Sequence, residues 1–330
     1  MASVDLRQKF EGALIGAAVG DALGMPIEGL PIKEIRNRYG IVSNFLDGRL
    51  PKGSFTDDTE MMIAVAEALL EEGTNINHIA RKLAEKHSFE RGYGPGTLYI
   101  LRQILRGKNW REISPKLFGS GSYGNGCIVR STPLVLLLHK HRDTLRKYVH
   151  ELCMITHAHK YALEAVEIFT NILLLAIDNC KDTNRYTDVA VKTCRSDIFL
   201  EKIKILKEIL GRDLSEEEIV KRLGNSVEVF NTIPIALYAF LKNISSFKDS
   251  VIYAVNLGGD ADSIAAIVGA WSGALHGSAK IPEKWRYQLE NFEHIIKLAN
   301  ELYIIHGYVE SMYEKVMKKL REKGRPDYVT

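Results

Sequence analysis

Gly53-Ser54-Phe55-Thr56-Asp57-Asp58-Thr59-Glu60 decides how this chain is read, together with a distant counterpart, Leu257-Gly258-Gly259-Asp260-Ala261-Asp262-Ser263. Each stretch gathers carboxylates and a hydroxyl into a few positions and then opens an apolar run at helical spacing. The runs are Met61, Met62, Val65, Ala68, Leu69 and Ile264, Ile267, Val268, Trp271. Both acidic stretches are therefore expected at helix N-termini, where free N–H groups and the helix dipole stabilise anions. Capping explains part of this: Asp57 with Glu60 has capping-box spacing, and Asp262 or Ser263 is a good N-cap. One cap needs one oxygen, however, and Thr56-Asp57-Asp58 and Asp260-x-Asp262-Ser263 each supply more. Crowded carboxylates repel unless a cation neutralises them, and hard divalent ions take oxygen ligands of this kind. As a pair the stretches read as one metal site.

Upstream, Phe10, Ala13, Leu14, Ala17 and Ala18 mark a first helix whose Gly12, Gly16 and Gly20 leave room for another backbone. Asp21 and Glu28 follow, and Pro26 and Pro31 end the helix. The helix after Ser263 is equally rich in small residues (Ala265, Ala266, Gly269, Ala270, Gly273, Ala274), so the two are expected to pack together near the centre. Ile41 to Leu46 is the one weak strand candidate. Helices are read over Ile76 to His87, from a Thr97 cap to Leu105, and over Leu134–Leu138, Leu145–Met154 and Tyr161–Ile177. Residues 179–196 read as irregular and 197–223 as two surface helices, the second with a Ser215–Glu218 capping box and Gly224 as its stop. Another helix starts at Thr232-Ile233-Pro234, and the next is capped between Ser246 and Asp249.

The chain is 330 residues long, and 46% of them are hydrophobic and 26% charged, enough to bury a sizeable core. With no linker-like break and no repeat, residues 1–330 read as a single compact all-α domain. The net charge of +3 argues for neither a nucleic-acid nor a membrane partner, and no stretch reads as a bilayer span. Lys315, Lys318, Lys319, Arg321 and Lys323 read as a solvated, dipole-complementing helix end. Cys127, Cys153, Cys180 and Cys194 have no metal spacing and are taken as reduced thiols of a cytoplasmic protein. Gly119-Ser120-Gly121-Ser122-Tyr123-Gly124-Asn125-Gly126 matches neither a P-loop nor a G-x-G-x-x-G turn. Its backbone amides suit phosphate oxygens, and a flexible surface loop is the alternative. His157 and His159, two positions apart, share no helix face. A hydrogen-bonding or stacking role fits them better than a metal site.

Taken together these motifs resemble the ADP-ribosylglycohydrolase family, the group of dinitrogenase reductase-activating glycohydrolase and the ADP-ribosyl-acceptor hydrolases. The resemblance rests on Gly12-Ala13-Leu14-Ile15-Gly16, Gly20-Asp21-Ala22-Leu23-Gly24, Thr56-Asp57-Asp58-Thr59, Gly124-Asn125-Gly126 followed by Arg130, Thr156-His157-Ala158-His159, and Gly258-Gly259-Asp260-Ala261-Asp262-Ser263. It implies an all-helical fold with two divalent cations, magnesium or manganese, in a central cleft. Thr56, Asp57, Asp58, Asp260, Asp262 and Ser263 correspond to the ligands, Ser263 standing where Thr is commoner. Glu28 corresponds to a glutamate that closes over the site in some members. Gly124, Asn125 and Gly126 correspond to a loop lining the ADP-ribose cleft, with His159 near the nucleotide and Tyr93 in contact with a ring or phosphate. The implied reaction is hydrolysis at the anomeric carbon of ADP-ribose on a protein or small acceptor, with Asp57 or Asp58 as base. Some members acting on ADP-ribosyl-arginine carry an acid in the segment corresponding to Arg91–Thr97, which has none here, although Glu28 is able to swing in and supply one. A metal-dependent phosphohydrolase and a non-catalytic, crystallin-like relative are the alternatives.

Overall fold

The computed structural model describes residues 4–322, whose regular structure is helical, without a strand among those described. Its axis is a pair of helices, Leu6–Gly24 and Ala261–His276, that meet backbone to backbone. A Cβ added at Gly12, Gly16 or Gly20 would strike the carbonyl oxygen of Gly273, Gly269 or Ala265 respectively. The relation is reciprocal, since Gly269 and Gly273 face the carbonyls of Gly16 and Gly12. The small residues of the two sequences are thus one seam, as their composition predicted.

Larger side chains build the layer around this seam. Lys160–Ile177 and Val229–Lys242 flank the later helix, and the long Phe292–Glu322 helix covers the earlier one. Trp271 is fully buried, and its indole N–H is satisfied by the Phe169 carbonyl at 3.1 Å. Cys127 and Cys153 meet in this interior with their free thiols 2.7 Å apart. Leu6–Ile27 does meet the length and apolarity of a membrane span, contrary to expectation, yet 89% of that window is buried inside the protein. It is apolar because it is central.

Four local expectations are corrected. Ile41–Leu46 is a loop: the Asn256 side chain accepts from the Val42 N–H and donates to its C=O, both at 2.9 Å, so a side-chain amide takes the place of a strand partner. Residues 179–196 contain a helix, Thr183–Thr193, capped by Asp182 and fastened by the buried Tyr186 and Ala190. The helix expected from a Thr97 cap begins earlier, at Pro95 after Gly94. That expected from Thr232 begins at Val229, leaving Pro234 inside it. The Ser215–Glu218 capping box and its Gly224 stop are present as read. Of the basic C-terminal positions, Lys323 lies outside the described residues, as do the side chains of Lys319 and Arg321.

Candidate active site

The seam ends where the acidic stretches begin. Asp21, in the last turn of the first helix, is fully buried, and its two carboxylate oxygens hold the first stretch in place. Oδ1 accepts from the Thr56 N–H at 2.9 Å; Oδ2 accepts from the Thr59 N–H at 3.0 Å and the Thr59 hydroxyl at 2.6 Å. Thr56 is the N-cap of Asp57–Glu72, so Asp57 and Asp58 open that helix. Glu60 does not close the expected capping box. It accepts from the Ser88 N–H and hydroxyl and from Tyr93 instead. Across the cleft, Gly258 and Gly259 adopt φ of 65° and 67°, a left-handed pair natural to glycine, and deliver Asp260 and Asp262 to the start of Ala261–His276.

The two stretches form one site. The Ser263 hydroxyl donates to Asp58 Oδ2 at 2.7 Å, joining side chains 205 positions apart. Glu28, Asp57, Asp58, Asp260, Asp262 and Ser263 share a cleft of about 290 Å³ with Gly124, Asn125 and Gly126. That volume is at the low end for small-ligand sites. Carboxylate oxygens of Glu28, Asp260 and Asp262 lie within 4.8 Å of one another. Thr56 sits one position behind the lining, fully buried.

The electrostatics fit a hard cation. Burial, then Asp21 and Glu28, push Asp57 up to about 8, and burial, then Glu28, pushes Asp260 up to about 6. Asp58 and Asp262 are held well above the carboxylate range by burial first, then by the neighbouring Asp57 and Asp260 respectively. Oxygen donors this crowded match the donor set of Mg²⁺ or Mn²⁺, with no thiolate among them. A stability consequence follows for the protein without metal. In the folded state these groups keep protons that the unfolded chain has released, so stability is greatest below about pH 4 for these groups and is lost as pH rises towards 8. A melting temperature falling by roughly 10 °C between pH 5 and pH 8, and restored by millimolar MgCl₂, is the expected result in thermal melts. A flat profile without metal would remove the crowded-carboxylate account.

The glycine-rich loop is a fixed wall. The Gly121 N–H donates to the Leu117 carbonyl at 2.7 Å, and the Val229 N–H to the Tyr123 carbonyl at 3.1 Å. The Asn125 amide donates to Asp260 and, at 3.0 Å, to Thr232 Oγ1. Behind it Arg130 is fully buried, donating to the Leu152 carbonyl at 2.8 Å. Of the two histidines, the cleft takes His157 and not His159. His157 is packed under Gly124 and Gly126, its Nδ1 is 2.7 Å from the Thr156 hydroxyl, and burial followed by Arg130 pushes it down to about 3, so it is neutral. His159 caps Lys160–Ile177 by accepting from the Tyr161 N–H and lies edge-on to Tyr123 and Tyr161. Tyr93 is also drawn away, its buried hydroxyl donating to Glu60 at 2.7 Å. The Arg91–Thr97 segment that contains it adds no carboxylate, and Arg91 is spent on a bidentate pair with Glu290.

Sequence reasoning missed Asp21 as the anchor of Thr56 and Thr59, and Arg49, which pairs with Glu28. A lone carboxylate inside a small-residue helix was a signal for the first. Nothing marked the second.

A model of the family described as ADP-ribosylglycohydrolase matches residues 2–310. A protein of Archaeoglobus fulgidus is 36% identical over 315 residues, covering 91% of this chain and 98% of its own length. The mouse ADP-ribosylhydrolase ARH3 is 28% identical, covering 89% of this chain and 91% of itself. ADP-ribosylarginine hydrolase Tri1 of Serratia proteamaculans is 28% identical, over 89% of this chain and 79% of its own. Among solved structures, one titled as an ADP-ribosylglycohydrolase-related protein complex superposes with a TM-score of 0.75 at 28% identity, covering 91% of this chain and 99% of that one.

Proposed function

The chain belongs to the ADP-ribosylglycohydrolase family, and from that premise we propose that it is a metal-dependent hydrolase releasing ADP-ribose from an acceptor, by attack of water at the anomeric carbon. The observation that carries this reading is the Ser263–Asp58 bridge, which makes two remote acidic motifs one oxygen-rich cleft shared with a wall of glycines. Asp57, Asp58, Asp260, Asp262, Thr56 and Ser263 would hold two divalent cations, with Glu28 at the rim. When bound, such cations polarise ribose hydroxyls and lower the pKa of a water.

The chain's own residues do the rest. Departure of the acceptor leaves an oxocarbenium-like sugar, which neighbouring carboxylates stabilise. Asp57 is assigned as the base: it is less buried than Asp58, whose Oδ2 is engaged by Ser263. The Gly124–Gly126 wall, bare of side chains at its two glycines and with the Gly124 N–H turned to the Ser122 hydroxyl, would lie along the diphosphate, and neutral His157 beneath it adds no charge. Substrates would be ADP-ribosylated proteins or small ADP-ribosyl compounds. Among them O-linked acceptors are favoured, because a guanidinium acceptor wants a carboxylate that the Arg91–Thr97 segment lacks.

The test is a panel of ADP-ribosylated substrates with detection of free ADP-ribose. Chelation is expected to reduce release at least a hundredfold, with Mg²⁺ or Mn²⁺ restoring it and Zn²⁺ doing so poorly. Full turnover by protein whose metal content has been verified as nil would overturn the reading. Release of phosphate without ADP-ribose would do the same.

A further inference from the structure

Glu28 lines the cleft, and Arg49 reaches it from just outside the lining residues. Glu28 is the exposed member of its acidic trio with Asp260 and Asp262, and so the carboxylate there that an incoming acceptor meets first. It is already paired, by Arg49, whose Nη1 donates to its Oε2. The guanidinium is held from its other side as well. Arg49 Nη2 donates to the Arg91 carbonyl at 3.1 Å and lies against Gly92, a cleft-lining residue at φ 92°. A Cβ at Gly92 would reach that guanidinium, so the two are packed against each other.

We propose that Arg49 is a specificity-determining residue: its guanidinium occupies the rim carboxylate that a guanidinium acceptor would need, and so biases the site against arginine-linked ADP-ribose. This rests on the hydrolase reading above. The acceptor is joined to the anomeric carbon, where the acidic cluster acts, and Glu28 belongs to that cluster and lines the same cleft, so an acceptor held there lies beside it. An arginine acceptor brings a fixed positive charge to that point. It meets a like charge already in place, which disfavours it, and loses the bidentate partner that suits its planar fork. A serine ether or an acyl ester carries no such charge and meets no conflict. The fallback in which Glu28 swings in to serve a guanidinium is weakened for the same reason, because Glu28 would first have to leave Arg49.

Arg49→Gln and Arg49→Met remove the charge, and Arg49→Lys keeps it. Each is compared with wild type on matched arginine-linked and serine-linked ADP-ribosyl peptides with Mg²⁺, and each is titrated with methylguanidine by calorimetry. Both neutral variants are expected to raise the arginine-to-serine ratio of kcat/KM at least tenfold and to gain methylguanidine binding. Arg49→Lys is expected to stay near wild type. An unchanged ratio, with methylguanidine bound equally by all four proteins, would overturn the role of Arg49 and leave the hydrolase reading standing. If no form cleaves any ADP-ribosyl peptide, the hydrolase reading fails, and methylguanidine binding equal in all forms would then overturn the rim-occupancy claim too.

Discussion

Asp262→Asn and Asp57→Asn are each expected to lower kcat/KM for ADP-ribose release by about 10³-fold while the helical fold persists. The side chains are nearly isosteric, and the amide oxygen introduced by Asp262→Asn can still accept from the Ser263 N–H, a bond of 2.9 Å in the wild type. What is lost is charge. Asp262 is buried beside Asp260, Glu28, Asp21 and Asp58, so without metal its ionised form is disfavoured from every side. The variant should therefore melt at the same temperature as wild type or higher when metal-free near pH 8, and lose the increase that Mg²⁺ gives wild type. If the aspartates only capped helices, the result would be a loss of about 1 kcal/mol with turnover intact. Assays run beside thermal melts separate the two outcomes, and retained turnover in both variants would remove the metal site.

The largest structural effect is expected at the seam. Gly273→Val places a branched side chain against the Gly12 carbonyl, where backbone faces backbone and neither helix can yield by changing a rotamer. Overpacking that rigid elements cannot relieve exceeds the usual cost of about 1–3 kcal/mol. No soluble, cooperatively melting protein is expected. Gly307→Ala is the control, in an exposed part of the Phe292–Glu322 helix with nothing within 4 Å of the added methyl. It should stabilise by about 0.5–1 kcal/mol. A Gly273→Val protein that folds and melts like wild type would show that the helices are not locked at this depth.

The parts of the site legible in the sequence were those carrying a surplus. Thr56-Asp57-Asp58 and Asp260-x-Asp262-Ser263 held more oxygens than caps use, and the small residues of two helices were more than helix propensity tolerates without a partner. What stayed hidden depends on neighbours that only folding supplies. Asp21 matters because Thr56 and Thr59 return to it, and Arg49 because a loop brings it to Glu28. His157 and His159 look alike in sequence, and only the turn into Lys160–Ile177 sends one to the cleft and the other to a cap. Val42 and Phe45 gave a false strand signal because these two side chains are buried from an otherwise more exposed loop for tertiary reasons.

The seam also sets the order in which the molecule can be made. Leu6–Gly24 leaves the ribosome well before its partner Ala261–His276, and its stretch to Ile27 is apolar enough to pass for a membrane span. Even the contact between Ser278 and Glu11 spans 267 positions. Closing so long a loop is entropically demanding and slow, and until then a sticky helix stands without its mate. A nascent or truncated chain ending before residue 261 should consequently aggregate or be held by a chaperone, and carry only half of the acidic cleft. Catalytic competence and solubility would then arrive together, late in synthesis, when the second run of glycines emerges.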